Sequence, residues 1–382
     1  MDIESFVNHQ VNKDRVDSLD FASLNNADNI HHFHQSLPNY VPTPLARLDR
    51  LANRLNVKEI RVKDESKRFD LNAFKGLGAS YAIACYLSKQ IALDFKPLNF
   101  KTIKQHHIEY KDIVFVTATD GNHGRAVAWA AQLFGCQSVV YMPRGSSENR
   151  LNAIKRFGAD ASITDYNYDD TVLHANEMAS KNGWVLVQDT AWQGYENIPI
   201  QIMQGYFTLV SECINQDKRF WPTHIFLQAG VGSFAAAILA IYYQFNDRPK
   251  PKFIIVEPTE APCLFEAMKQ NGGEHFKIAG DMPTLMAGLA CGEPSTIALN
   301  ILREHADVFI KCDDEFTKVG MKLAANPIEG DPNIVSGESG AVGLGILNQI
   351  LSTANYKDIK NDLELNQDSR VLLFSTEGDT DP

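Results

Sequence analysis

Residues 112–143 read DIVFVTATDGNHGRAVAWAAQLFGCQSVVYMP. DIVFVTAT is an apolar run that ends in a polar, glycine-bearing turn. HGRAVAWAAQLFG is rich in small helix formers and stops at Gly135, a residue suited to the left-handed cap of a helix. SVVYMP is a second apolar run. Strand, helix and strand within roughly 30 residues make two parallel neighbours joined by a crossover.

The alternation continues in both directions. Downstream, ENRLNAIKRFG, TVLHANEMASKNG and a longer segment from about Ile198 to Cys213 read as helices. DASITDY, WVLVQDT, THIFLQAG, FIIVEP and VLLFSTEG read as strands, with helices starting near Ser233 and over SGAVGLGILNQIL. Upstream, EIRVKDE is a strand and FKGLGASYAIACYLSKQIA a helix. In VPTPLARLDRLANRL the prolines hold the chain extended, and a helix is expected from Leu45. Residues 1–40 are polar and rich in histidine. His31, His32 and His34 lack a nearby carboxylate or cysteine, so a solvated loop or arm is expected rather than a metal site. The pattern predicts an α/β fold, with parallel-rich sheets covered by helices on both faces. At 382 residues the chain suffices for two lobes sharing one site.

A net charge of -11 argues against nucleic acid and anionic membrane as partners, because both need a basic field. No apolar run is long enough for a membrane span. The polar, acidic N-terminus is not a signal peptide. Six scattered cysteines, with no CxxC, predict buried thiols in a reducing cytoplasm; a Cys263–Cys291 bond is conceivable.

Four strands end in polar or glycine-rich turns: TDGNHG, QDTAWQG, QAGVGS and STEGDT. In open parallel sheets ligands sit at the carboxyl ends of strands, so these turns nominate one site. Gly230, Val231, Gly232 and Ser233 open a helix and offer NH groups and a hydroxyl to a phosphate; a side chain at 232 is expected to intrude on that cradle. The same glycines, with Ala235 and Glu257, also fit a dinucleotide fingerprint. Lys75, just inside a helix start among apolar neighbours, is placed to react as a neutral amine. Asn122 suits an ionised ring oxygen, and the backbone NH groups of Gly121, Asn122 and His123 suit a carboxylate. Asp120 beside that turn repels a carboxylate unless it takes a proton or greets an amine. Asp189 is a candidate partner for a cation. Ser375 and Thr376 offer a hydroxyl to a pyridine nitrogen, and Glu338 lies in a further loop-to-helix turn.

DESKRFDLNAFK, TDGNHGRAVAWAAQ, VYMPRGS, VQDTAW, PTHIFLQAGVG, AGLACGEP, SGESGAVGLG and STEGDTD together resemble the fold type II (tryptophan-synthase-β-like) pyridoxal-phosphate enzymes. Within that class the likeness is to the diaminopropionate ammonia-lyase group, from about Pro42 onward; DGNHGR carries an acid where the related hydroxy-amino-acid dehydratases usually have a small residue. The resemblance implies Lys75 as the Schiff-base lysine, Asp120 as a second acid/base and the 230–232 loop as the phosphate site of pyridoxal 5'-phosphate. It implies a cytoplasmic homodimer acting on a small amino acid, 2,3-diaminopropionate in D and L forms, releasing pyruvate and ammonia. A large cofactor-binding domain is expected over 1–85 and 224–382, and a smaller one over 86–223. Rival readings are a serine or threonine dehydratase, a nicotinamide-dependent oxidoreductase and a ligand-binding sensor.

Overall fold

The computed structural model describes residues 1–12, 19–93, 97–119, 121–270 and 272–380. Its strands are β1 (Ile3–Val7), β2 (Leu45–Arg47), β3 (Glu59–Asp64), β4 (Val114–Ala118), β5 (Gln137–Met142), β6 (Asp160–Ile163), β7 (Val185–Leu186), β8 (His224–Gln228), β9 (Lys252–Pro258), β10 (Val308–Cys312) and β11 (Arg370–Ser375). They form a seven-stranded sheet, β1-β10-β9-β8-β11-β3-β2, and a four-stranded sheet, β6-β5-β4-β7. The small sheet is parallel throughout. In the large sheet only the edge strands β1 and β2 run antiparallel.

The central strands follow from their composition. HIFLQ of β8 is buried at every position, and KFIIVEP of β9 at all but its first. Such strands need cover on both faces, and helices supply it. The helix Ser233–Tyr243 is buried along its whole length. The helix Lys75–Gln90 lies against Asn197–Gly205 at unusually short range. A Cβ at Gly205 would sit 2.5 Å from Leu77 O, and one at Gly78 would sit 2.7 Å from the Tyr206 ring. Glycine at both contacts lets the two backbones close up, and this fixes the height of Lys75 above the sheet.

Three segments differ from expectation. The described residues within 1–40 are not a solvated arm: they hold β1, which pairs with β10, and the helix Leu24–Ser36. Ser23 caps that helix by accepting from Asn26 N, and His34 is fully buried on its inner face. The histidine occupies a core position at helical spacing from Ala27, Ile30 and Phe33, where composition alone signals polarity. Leu45–Arg47 is strand, paired with β3, and the helix begins only at Asp49. The expected helix from Ile198 to Cys213 is two helices, Asn197–Gly205 and Phe207–Gln216, that meet at Tyr206.

The small sheet lies inside residues 86–223 and the large sheet outside them. We propose the two lobes at those limits, with Lys75–Gln90 crossing from one to the other.

Candidate active site

The carboxyl ends of β8 and β11 in the large sheet face those of β4 and β7 in the small one. Between them is a cleft with about 790 Å³ of non-atom space, part of it open to solvent. Lys75, Asn122, Asp189, Gly230, Ser233 and Thr376 are among its walls, so pieces of all four turns meet there.

Lys75 opens its helix after a loop with unusual backbone. Phe69, Asp70 and Asn72 have φ of 53°, 58° and 54°, a left-handed conformation that costs energy in residues other than glycine. Two anchors hold the loop. Phe74 N donates to Thr376 O at 3.1 Å. Arg68, 1% exposed, is gripped from both sides by carboxylates: its Nε donates to Glu65 Oε2 at 2.7 Å and its guanidinium to both oxygens of Glu212 at 2.7 and 2.8 Å.

Lys75 Nζ donates to Asp189 Oδ2. Burial alone would raise the Asp189 carboxyl, but the charges of His123 and Lys75 and the lysine hydrogen bond bring it down to about 2. The lysine nitrogen therefore faces a carboxylate, which opposes the helix-start argument for a neutral amine. His123 Nε2 donates to Val187 O at 2.8 Å, and its Nδ1 lies 3.7 Å from Asp189 Oδ2. Ser233 Oγ donates to Asp189 O at 2.6 Å, so its hydroxyl proton ties the glycine turn to the end of β7 and is not offered to a phosphate.

Other expected residues are placed less simply. Gly121 N donates to Thr119 Oγ1 at 2.9 Å, which removes it from the expected carboxylate set. Asn122 Nδ2 donates to Glu377 Oε2, and its Oδ1 accepts from Arg125 at 2.9 Å. Thr376 lines the cleft and accepts from Gln228 Nε2 at 2.9 Å. Ser375 does not line the cleft; its hydroxyl donates to Ser336 Oγ at 2.8 Å. Glu338 starts a helix and lines a smaller polar pocket with Arg125 and Arg150, while its neighbour Ser339 faces the main cleft. Val231 sits in the cleft wall with the glycines. Asp120 lies outside the described residues. None of the six cysteines is in a disulfide, so Cys263 and Cys291 are not joined by one. Among the described residues no cluster of His, Cys, Asp and Glu could hold a metal ion.

The dinucleotide reading fails at Glu257. Its carboxylate is fully buried and accepts from Leu264 N at 2.8 Å and Phe265 N at 2.6 Å, capping the helix Cys263–Gln270. Burial pushes its pKa up to about 8, with those two hydrogen bonds pulling it down. It has no path to a ribose.

The residues present fit pyridoxal phosphate. Gly232, at φ 91°, turns the chain into the helix Ser233–Tyr243, aiming the NH groups of its first turn at the cleft end. A Cβ at Gly230 would meet Cys291 Sγ at 2.9 Å, so only glycine leaves room beside the 287–291 wall. Tyr206 Oη and Ser339 Oγ are buried, line the cleft and have no hydrogen-bond partner, an arrangement that a polar ligand would satisfy. Tyr206, Ser339 and Glu377 escaped the sequence reading; a hydroxyl within a helix break or a helix start carries no signal of its own.

The family model of pyridoxal-phosphate dependent enzymes matches residues 37–376. This chain belongs to that family. Among the pyridoxal-phosphate dependent enzymes it is 49% identical, over 356 residues, to a diaminopropionate ammonia-lyase of Salmonella typhimurium, covering 92% of this chain and 88% of that protein. It is 48% identical to the diaminopropionate ammonia-lyase of Escherichia coli K12 over 351 residues, 91% of this chain and 87% of that one. The crystal structure of the Escherichia coli enzyme in complex with an aminoacrylate-PLP azomethine reaction intermediate superposes with a TM-score of 0.89 at 44% identity, covering 100% of this chain and 94% of that chain. The fold is therefore fold type II.

Proposed function

We propose that this chain is a pyridoxal-phosphate-dependent carbon–nitrogen lyase that eliminates ammonia from 2,3-diaminopropionate. The observation that carries the reading is Lys75 Nζ in one cleft with the Gly230–Ser233 turn, in a chain 49% identical to a diaminopropionate ammonia-lyase. When bound, pyridoxal phosphate supplies an aldehyde for an amine and a ring that spreads the charge left at Cα. Water enters once, and pyruvate and two ammonia molecules leave.

The chain's own residues divide the work. Lys75 holds the cofactor and then serves as base on its face of the substrate. Asp189 keeps Lys75 aligned. Asn122 and the NH groups of the helix start it opens receive ring oxygen and carboxylate. Thr376, not Ser375, presents a hydroxyl to the ring nitrogen, because Ser375 donates to Ser336. Asp120 acts as base on the opposite face, which lets the D-enantiomer react. A homodimer in the cytoplasm belongs to the same reading; for the compartment alone, the six cysteines outside any disulfide are in keeping with it.

The test is product stoichiometry with each enantiomer. Two ammonia molecules per pyruvate are expected from D- and L-diaminopropionate. Asp120→Asn should cost roughly 10²–10⁴-fold on the D substrate and less on the L substrate. Preference of the unaltered enzyme for serine overturns the lyase reading; equal losses on both enantiomers reduce Asp120 to a positioning residue.

A further inference from the structure

We propose that Glu377 is a positioning residue that clamps Asn122 across the two sheets and dictates how the Asn122 amide faces the cleft. Glu377 follows β11 in the large sheet, while Asn122 opens the helix after β4 in the small one. The two meet through Asn122 Nδ2 and Glu377 Oε2. The other end of the amide, Oδ1, accepts from Arg125 at 2.9 Å, and the same Arg125 nitrogen donates to Leu71 O in the loop before Lys75. Glu377 Oε1 is held in turn by Ser339 N at 3.0 Å.

The two ends of an asparagine amide are nearly equal in size, so shape does not orient it; its partners do. A carboxylate only accepts and a guanidinium only donates. With Glu377 at one end and Arg125 at the other, the flipped amide would lose both bonds. Nδ2 carries a second hydrogen, which stays available to an oxygen in the cleft that Asn122 lines. Because the clamp bridges the sheets, it also forms only when the lobes stand at this separation. Glu377 is 6% exposed, a costly place for a carboxylate that had only a surface role. The charged and titratable groups around it are Arg125, Arg150 and Glu338 across the small polar pocket, and Lys75, His123 and Asp189 across the main cleft.

The clamp is defined by the chain itself; its effect on the cofactor rests on the reading above. Two measurements separate them. The first uses cofactor-free protein. Glu377→Gln leaves one accepting oxygen for two donors, so amide hydrogen exchange over residues 122–125 should speed up about tenfold or more. The second uses the holoenzyme and follows its visible absorption band with pH. A carboxylate in the cleft favours the protonated, cationic chromophore, so Glu377→Gln should lower the titration midpoint by on the order of one pH unit. Glu377→Asp, which keeps the charge, should restore most of that shift. Unchanged exchange and midpoint in Glu377→Gln overturn the clamp, as does a loss of thermal stability in both variants with the midpoint unmoved. Failure of the unaltered protein to take up pyridoxal phosphate overturns the functional reading, and the exchange measurement still decides the clamp.

Discussion

His34 shows how one buried side chain ties stability to pH. Its ring joins the N-terminal helix to two others: Nε2 donates to Leu77 O at 3.0 Å and Nδ1 accepts from Thr208 Oγ1 at 2.6 Å. Burial drives its pKa down to about 3, the Leu77 hydrogen bond and Glu212 pulling upward and Arg68 and His31 downward. Below pH 6.5 the unfolded chain gains a proton that the folded chain refuses. The stabilising contribution is thus whole above pH 6.5 and shrinks as pH falls toward 3. At pH 5 the loss is about 2 kcal/mol, since 1.5 pH units are then linked to folding. Unfolding free energies from denaturant titration at pH 7 and pH 5 should therefore converge in His34→Gln by about 2 kcal/mol. His31 and His224, also lowered by burial, leave some slope behind. An unchanged difference between the two pH values would assign the slope to other groups.

At the level of elements, the glycine turn before Ser233–Tyr243 performs two jobs with two residues. A Cβ at Gly232 would point at Leu264, Ala298 and Leu302, at 3.1 to 3.3 Å, and not into the phosphate cradle as its position in the sequence suggests. Its φ of 91° adds strain for any L-residue. Gly232→Ala should then destabilise the cofactor-free protein by about 1–2 kcal/mol. Gly230 instead borders the cleft wall at Cys291 and Leu289. Gly230→Ala presses its Cβ on Cys291 Sγ and on the 288–289 backbone, so it should cost comparable stability and, by shifting the cleft wall, weaken pyridoxal-phosphate affinity more than Gly232→Ala does. Calorimetry of the cofactor-free proteins with cofactor titration of both variants checks this; equal losses of affinity in the two would merge the roles.

Over the whole molecule, a buried charge cluster joins parts of the chain that are far apart in sequence. Lys63 Nζ on β3 lies 2.5 Å from Glu212 Oε2, and Arg68 donates to Glu212 and Glu65. Thr43 donates to Glu65, and Tyr40 Oη to Glu212 Oε1 at 2.6 Å. Burial alone would raise Glu212, but Arg68 first and Lys63 second hold it well below the usual carboxylate range. Removing one partner strands the rest without compensation, so Glu212→Gln should cost about 3–5 kcal/mol in chemical denaturation. The loss should be global, with one transition, because the cluster fastens the N-terminal segment, β3, the loop before Lys75 and the helix Phe207–Gln216 together. A cost below about 1 kcal/mol would make the cluster a neutral substitute for apolar packing.

The sequence determined the alternation of strands and helices, because apolar runs of strand length and small-residue helices differ in period. It also marked the turns of the cleft, since glycine and polar residues at strand ends have local causes: Gly135 and Gly232 sit at left-handed φ as their spacing implies. Other features had no local signal. β10 lies between the helices Thr296–His305 and Asp314–Ala325 with no glycine or proline turn to announce it. Leu45–Arg47 is strand because β3 offers it an edge, a partner that its own residues do not encode. In the cleft, Glu377 and Tyr206 matter through residues at long sequence separation, Asn122 and Ser339 for one and the helix contact at Gly78 for the other. The same holds for Ser375 and Thr376, adjacent and chemically alike. Alternation along a strand end sends one hydroxyl to Ser336 and the other to the cleft, and only the packed sheet decides which faces which.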